Sequence, residues 1–460
     1  MKAIIPVFQE NSSSPLYLQL YDYIRQAILA QEIVPGEKLP SLRDLSSSLG
    51  LSLTTVEGAY NQLAVEGYIE SRPKSGYYVC DVSAPASGDQ AVAPHEDAVS
   101  AQLLSASPHF KYDMACFDFV KWKKCLNRVI NEYPEALLSE GEPRGEAALR
   151  EEISRYVYRS RGVRCKPEQI VIAAGTQQIT ALLASMLDDI GVRHVAVEEP
   201  GYLPIRGIFR SRGFALTPVP VARDGIDIAR LPSNIRCAAY VNPSNQFPTG
   251  AVLSVGKRYR LLEWADQNNS YIIEDDYDSE LRYFGRPIPA LQGLDHSGRV
   301  IYLGSFSSTL FPAVRISYTV LPPPLSRVYD RVGSDSAQTC SKVEQLTLAL
   351  FMARGYYQTG IRRLRRLYAQ KLQRVLAIVS KAADIDVENA VSGIHMMLHV
   401  RTPKPASRLC QEARELGLRA VPVTHYAEKP SSTSLLLYYN QIPLEEIDDD
   451  IRALLARWRS

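Results

Sequence analysis

The chain of 460 residues has no apolar run long enough to cross a bilayer. Stretches such as Ile170–Ala174 fall far short of the roughly 18–20 residues that a membrane helix needs. Its opening, MKAIIPVFQENSSS, carries Pro6 and lacks both the long apolar core and the small-residue cleavage site of an export signal. It reads as a cytoplasmic protein with no membrane partner. Paired cysteines are missing too: Cys80, Cys116, Cys125, Cys165, Cys237, Cys340 and Cys410 are odd in number, widely spaced and without a Cys-x-x-Cys pair. That pattern excludes a disulfide framework and suits a reducing compartment. Charge of one sign is not in excess, since 52 basic and 50 acidic side chains leave +2; net charge therefore neither requires nor excludes a nucleic-acid partner. What is present is ordinary for a folded protein, with 46% hydrophobic and 22% charged residues, which excludes disordered and collagenous classes. The length predicts roughly three units of about 150 residues.

The chain divides at a linker. From Asp81 to Ser107 the sequence DVSAPASGDQAVAPHEDAVSAQLLSAS is rich in Ala, Ser and Pro, and its first part has no strand or helix period. A small module over 14–80 thus precedes a large one over 108–460, and no internal repeat is visible.

In the small module Tyr17, Leu20, Tyr21, Ile24 and Ile28 fall on one face of a helix. Pro35-Gly36 turns the chain. Ser41 with Asp44 makes a capping-box start for a second helix that ends at Gly50, and Ser52 caps a third. There Val56, Ala59, Tyr60 and Leu63 form the buried stripe, leaving Thr54, Thr55, Glu57, Gly58 and Asn61 outward. YIESRPKSGYYV then reads as a hairpin. Three helices and a hairpin predict a winged helix-turn-helix, an α+β unit that lays one helix into DNA.

The segments PLYLQLYDYIRQAI, PGEKLPSLRDLSSSLGLSLTTVEGAYNQLAVEGYI and SRPKSGYYV resemble the GntR-type DNA-binding domain along nearly its whole length. The resemblance implies that Arg43, Thr54 and Thr55 meet DNA, with Arg72, Lys74 and Gly76 at the wing. One departure is Leu53, where the family usually has an arginine. Residues 1–80 hold six basic side chains (Lys2, Arg25, Lys38, Arg43, Arg72, Lys74) against eight acidic ones, so nonspecific electrostatic affinity for DNA should be weak. Arg362, Arg363, Arg365 and Arg366 lie within two helical turns, as a solvated face or as a second basic surface.

In the large module QIVIAAGTQQ, HVAVEEPGY, CAAYVNPSNQFPTG, YIIEDDYDSE and RVIYLGSFSS each break from a strand-like run into a polar loop, with amphipathic stretches between them. Such alternation predicts an α/β unit with a mainly parallel sheet, in which ligands sit at the carboxyl ends of the strands. Gly175, Thr176 and Gln177 open a helix directly after a strand, an anion-holding arrangement. Asp275 at a strand end could bond a protonated ring nitrogen, Tyr277 would reach the same pocket, and Tyr202 could stack on a planar ring.

The order of these segments, with GEPRGEAALREE, EEPGYLPIRGIF, NPSNQFPTG, IEDDYDSELRY and YLGSFSSTLFPAVR, resembles fold-type I, class I aminotransferases. Joined to the GntR-type head, the chain is similar to the MocR/GabR transcriptional regulators over essentially residues 14–455. The resemblance implies a pyridoxal phosphate pocket in a homodimer. Tyr202 would stack on the cofactor, Asp275 would hold its pyridine nitrogen and Tyr277 its ring hydroxyl, with Thr176, Ser305, Ser307 and Arg315 around the phosphate. It also implies departures. Ser308 stands where the family has its Schiff-base lysine, Glu140 where a tyrosine reaches the partner's phosphate, Phe247 where aminotransferases have an asparagine, and Leu436 where an arginine grips the substrate carboxylate. A hydroxyl cannot condense with an aldehyde, so bound pyridoxal phosphate would be noncovalent and turnover absent.

Ser308 is not in a Gly-x-Ser-x-Gly elbow, which speaks against a hydrolase. His395 and His399 have i, i+4 spacing but lie in the apolar, strand-like IHMMLHV without a neighbouring acid, so no metal site is expected. The sequence reads as a DNA-binding regulator that senses pyridoxal phosphate, an amino acid or their adduct at an operator. The alternatives are an active aminotransferase with a DNA-binding head, and a regulator whose large domain is only a dimerisation scaffold.

Overall fold

The computed structural model describes residue 6 and residues 14–73, 75–82, 110–111, 113–283, 288–333, 336–388, 391–426 and 433–459. Contacts divide the chain into one unit of Met1–Ala106 and another of Ser107–Ser460. Most of the linker segment, from residue 83 to 107, lies outside the described residues.

The head's helices stop and start where side chains satisfy the backbone. α1 (Leu16–Leu29) buries Leu20, Tyr21, Ile24, Ala27 and Ile28. Tyr17, assigned by spacing to the same stripe, is 38% exposed instead. It sits in the first turn, and its ring lies beside Gly58, where an added Cβ would meet it at 3.5 Å. Before α2 (Leu42–Leu49), Ser41 Oγ accepts from Asp44 N at 3.2 Å and donates to Asp44 Oδ2 at 2.7 Å. Gly50 closes that helix at φ +66°, a left-handed conformation that costs glycine little. Ser52 Oγ accepts from Thr55 N at 3.1 Å and opens α3 (Leu53–Val65), whose buried residues are Val56, Ala59, Tyr60 and Leu63. β1 (Ile69–Arg72) and β2 (Gly76–Val79) pair antiparallel from Ile69↔Val79 to Arg72↔Gly76. Tyr60 binds hairpin and helix together, donating to Pro40 O at 3.1 Å and meeting Tyr77 edge-on at 5.0 Å.

The large unit is built on an eight-stranded sheet. Its strands are β3 (Ile170–Ala173), β4 (His194–Glu199), β5 (Ala215–Ala222), β6 (Gly225–Ile226), β7 (Ala238–Val241), β8 (Tyr271–Asp276), β9 (Val300–Ser305) and β10 (Ser317–Val320). They lie in the order β3-β10-β9-β8-β7-β4-β5-β6. The central pairs β5/β4, β4/β7, β7/β8 and β8/β9 are parallel, and β10 and β6 run antiparallel to their neighbours. Helices cover both faces, and all six residues of β8 are buried, as a parallel strand between two helical layers requires.

Three of those six are acids, so each needs partners. Glu274 accepts from Leu291 N at 2.8 Å and Gln292 N at 2.9 Å. Asp276 pairs with Arg161 at 2.8 Å and accepts from Tyr302 Oη at 2.7 Å. Asp275 is treated with the site below.

The sequence reading contained no second sheet in this unit. The structure adds one, antiparallel, of β11 (Ile385–Glu388), β12 (Met396–Val400), β13 (Ala420–Pro422) and β14 (Ser434–Leu437) in the order β11-β12-β14-β13. Helices Tyr356–Val379, Ala406–Glu415 and Ile447–Arg459 pack on it around Leu372, Leu398, Leu409, Leu435 and Leu454. Arg362, Arg363 and Arg366 are exposed on the first of these helices, whereas Arg365 Nε donates to Arg282 O at 3.0 Å.

His399 also corrects the sequence reading, which gave it no acidic neighbour. Its Nε2 lies 3.0 Å from Glu388 Oε2 of the adjoining strand, and its Nδ1 lies 2.7 Å from Ser434 Oγ. Cross-strand proximity is invisible along the chain. Among the described residues no cluster of three or more His, Cys, Asp or Glu could hold a metal, and no helix is long and apolar enough to cross a membrane.

Candidate functional site

The loops leaving the carboxyl ends of β3, β8 and β9 meet loops of the small sheet around a cavity of about 520 Å³. Gly175, Thr176, Gln177, Tyr202, Asp275, Tyr277, Ser305, Ser307, Ser308 and Arg315, the ten residues singled out from the sequence, all line it.

One end is an anion cradle. Gly175, at φ +90°, caps the helix Thr176–Asp189, so unpaired backbone N–H groups and the positive end of the helix dipole face the cavity. A Cβ on Gly175 would stand 2.3 Å from Arg315 Nη2, so only glycine lets that guanidinium lie against the helix start. Arg315 is itself held at φ +48° after the turn Pro312–Val314. Ser305 Oγ accepts from Ser317 Oγ at 3.0 Å and from Ser307 N at 3.3 Å. Ser307 Oγ is buried with no partner among the described residues.

The middle of the cavity suits a planar, protonated heterocycle. Asp275 is the last residue but one of β8, where its Oδ2 accepts from Tyr240 Oη at 2.7 Å and its carbonyl accepts from Asn242 Nδ2 at 2.8 Å. Burial pushes its carboxyl up to about 6, against hydrogen bonding from Tyr240 and the Asn242 amide that favours the charged form. Burial, with Asp278 adding to it, raises the Tyr277 hydroxyl well above its ordinary value, and Tyr277 Oη accepts from Asn245 Nδ2 at 3.3 Å. Phe247 stands edge-on to Tyr202 at 6.1 Å and to Tyr277 at 6.2 Å.

The remaining wall was not found from the sequence. His395, Arg419, Tyr426 and Tyr438 line the cavity from the small sheet and its loops. Arg419 is one of many surface-type arginines in a sequence, and nothing in its local pattern separates it from the others. Phe247 bridges to this side, 5.4 Å from His395 and 4.7 Å from Tyr426. Buried side-chain atoms without a hydrogen-bond partner among the described residues recur around the cavity: besides Ser307 Oγ they are His395 Nδ1, Asn440 Oδ1 and Gln441 Oε1.

No lysine is among the described residues that line the cavity. Lys371 lies just behind them, wholly buried, bound to Asp113 at 2.6 Å and donating to Asn440 O at 2.7 Å. Leu436 is fully buried in β14 opposite Val421 and Met397. Glu140 is exposed and outside the cavity wall of its own chain, its carbonyl accepting from Lys342 Nζ at 3.1 Å.

In the head, Arg43 is exposed and has no ion-pair or hydrogen-bond partner among the described residues. Thr54 and Thr55 hydroxyls lie 2.9 and 2.7 Å from Ser52 Oγ at the exposed start of α3. Arg72 is engaged within the wing, 2.6 Å from Glu70 and stacked 4.3 Å over Tyr78. Gly76 begins β2 at φ +115°; Lys74 lies outside the described residues.

Residues 16–79 match the model of bacterial regulatory proteins of the gntR family, and residues 116–434 match that of aminotransferase class I and II. The HTH-type transcriptional regulator YdeL of Bacillus subtilis is 36% identical, over 99% of both chains. The probable rhizopine catabolism regulatory protein MocR of Rhizobium meliloti is 33% identical, over 97% of this chain and 94% of that one. In three dimensions the chain is similar to LysN, the α-aminoadipate aminotransferase of Thermus thermophilus, solved with N-(5′-phosphopyridoxyl)-L-leucine. The TM-score is 0.66 at 23% identity, covering 78% of this chain and 94% of that one, which establishes a shared fold. With a GntR winged helix in front of a fold-type I aminotransferase domain, and full-length relatives of the same build, the chain belongs to the MocR-type family of HTH transcriptional regulators.

Proposed function

We propose that this chain is a sequence-specific, homodimeric transcriptional regulator whose aminotransferase-like domain binds pyridoxal phosphate, an amino acid or their adduct noncovalently, without turnover. The observation that carries the reading is the joint lining of one cavity by a glycine-capped helix start, Arg315 against it, a buried acid and a serine at position 308.

Those residues fit the cofactor. Ser307 Oγ is a buried hydroxyl without an acceptor or donor among the described residues, and the cradle of Gly175, Thr176 and Arg315 supplies N–H groups that would hold a phosphate. Asp275 would hold a protonated ring nitrogen, Tyr277 would donate to a ring hydroxyl, and Tyr202 would lie against the ring. Pyridoxal phosphate, when bound, supplies an aldehyde that captures amines and a ring that withdraws electrons from them. Ser308 Oγ offers no amine to that aldehyde and no base to move a proton.

In the head, Arg43 and the start of α3 would face DNA, and two heads in a dimer would meet two half-sites. The test selects a binding fragment from a random DNA pool with the full-length protein, then titrates it with and without pyridoxal phosphate while native mass spectrometry follows the protein. A dimer that releases the cofactor on denaturation at unmodified chain mass is expected. Failure of the native protein to take up the cofactor at any accessible concentration would refute the ligand reading and leave the DNA reading standing.

A further inference from the structure

The exposed arginines of the helix Tyr356–Val379 take no part in the cavity or in the head's assigned contacts. From Gln345 to Ala383 the chain carries eight basic side chains and neither Asp nor Glu. Packing sorts the cations of the helix into two groups. Arg365 Nε donates to Arg282 O at 3.0 Å, Lys371 pairs with Asp113 at 2.6 Å, and Arg374 pairs with Asp448 at 2.9 Å. Those three are engaged within the fold. Arg362, Arg363 and Arg366 are exposed, and among the described residues none of them has an ion pair; Arg362 donates to Thr359 Oγ1 of its own helix at 3.3 Å.

The neighbouring helix extends the positive face. Lys121, from the helix Phe119–Glu132, holds its ammonium 5.5 Å over the Tyr356 ring and lines a crevice of about 40 Å³ together with Thr359, Gly360 and Arg363. Asp118 is the acid on that crevice, and it pairs with Lys121 at 3.0 Å. Lys121 first, with Arg363 adding to it, holds the Asp118 carboxyl below the usual carboxylate range. A helix face that merely meets solvent interleaves charges of both signs, because like charges one turn apart destabilise a helix. Arg362 and Arg366 are such a like pair, and no acid on their helix offsets them.

We infer that Arg362, Arg363 and Arg366, with Lys121 beside Arg363, form a second DNA-contacting surface that holds phosphates of the duplex without reading its sequence. The inference rests on the DNA reading above. Charge complementarity selects the occupant. Duplex DNA carries one negative charge per roughly 1.7 Å of its axis, and the head, with six basic side chains against eight acidic ones over residues 1–80, is poor in the cations that neutralise it. A guanidinium suits that task because its N–H fork matches phosphate oxygens.

The test is fluorescence anisotropy on the full-length protein with two duplexes of equal length, a fragment selected from a random pool and the same fragment scrambled. Each phosphate contact adds about 0.9 to the slope of log affinity against log salt. Arg362→Gln/Arg363→Gln/Arg366→Gln should therefore flatten that slope by about 2–3 on both duplexes, and Arg366→Gln alone by about 0.9. Between about 50 and 200 mM salt the wild type should then lose roughly 15- to 60-fold more affinity than the triple variant. Arg362→Lys/Arg363→Lys/Arg366→Lys should keep most of the slope, which separates charge from fold. Equal slopes for the wild type and the glutamine variants, or a difference confined to the selected fragment, would refute the surface and leave the winged helix as the DNA contact. A triple glutamine variant that binds DNA more tightly than the wild type would assign the face to an acidic protein surface and overturn the inference as well. If the wild type binds neither duplex, the DNA reading falls with it.

Discussion

The head and the large unit place their candidate site residues differently, the one on its surface and the other within its core. In the head, Arg43 and Thr54 stand on the surface, outside a core of Leu20, Ile24, Val56, Tyr60 and Leu63. In the large unit, Asp275 belongs to a strand whose every residue is buried. The contrast teaches that recognition and stability are separable in the first unit and coupled in the second. A surface arginine can be removed with the core untouched, whereas a buried acid is part of the packing that holds it.

Ser308→Lys is the sharpest test of that contrast, because it changes the large unit in kind. It would place an amine where the aldehyde is expected. Incubation with pyridoxal phosphate and borohydride should give a stoichiometric mass increase on residue 308, absent from the wild type. If the double variant Ser308→Lys/Glu140→Tyr gains no mass, the cavity is shaped for another ligand, and the resemblance to the aminotransferases ends at the fold.

Next in size is Asp275→Asn, which should weaken pyridoxal phosphate binding by about 2 kcal/mol, the scale of a buried charged hydrogen bond. The sign with pH follows from a carboxyl pushed up to about 6. Above that value it is ionised and holds a protonated ring nitrogen; as pH falls from 7 toward 5 it takes up a proton and the attraction is lost, so wild-type affinity should drop. Titration calorimetry across that range checks it. Whatever pH dependence survives in Asp275→Asn belongs to the phosphate, and an unchanged profile would remove Asp275 from the ring contact.

Arg43→Ala should cost operator binding about 1–3 kcal/mol if the side chain meets a base or a desolvated phosphate, without shifting the melting temperature. Anisotropy at fixed salt and a thermal scan read both. Equal affinity for Arg43→Ala and Thr55→Ala would take the recognition surface away from this face. The smallest effect concerns the head alone: Ser52→Ala removes the acceptor for Thr55 N at 3.1 Å and should destabilise α3 by about 1 kcal/mol. Because Trp122, Trp264 and Trp458 all lie in the large unit, hydrogen exchange of the α3 amides is the suitable probe, and unchanged protection would show that the cap is redundant.

The head was legible almost entirely. Its caps at Ser41 and Ser52, the αL closure at Gly50 and the stripe of Val56, Ala59, Tyr60 and Leu63 stand where the sequence places them, since each depends on residues within four positions. Tyr17 failed because a helix's first turn can leave the stripe it belongs to. In the large unit the ten cavity residues were legible from strand ends and family resemblance together: nine stand at or just beyond the carboxyl ends of β3, β4, β8 or β9, where β/α folds collect their ligands, and Arg315 precedes the antiparallel β10. His395, Arg419 and Tyr438 were not, because they reach the cavity from a second, antiparallel sheet whose pairings cross intervals such as that from Met397 to Leu436.

The sequence by itself determined the two modules, the helix ends, the parallel strands with their polar exits, and a serine rather than an amine at position 308. Only the tertiary structure decided that Arg419 and His395 reach the cavity from the small sheet, that Arg72 is already bound to Glu70, and that His399 has an acid across the strand. Capping, period and residue chemistry act over a few positions and are written along the chain. Whether a charge is free or satisfied depends on what distant segments bring within about 3–4 Å of it, and that is set by packing alone.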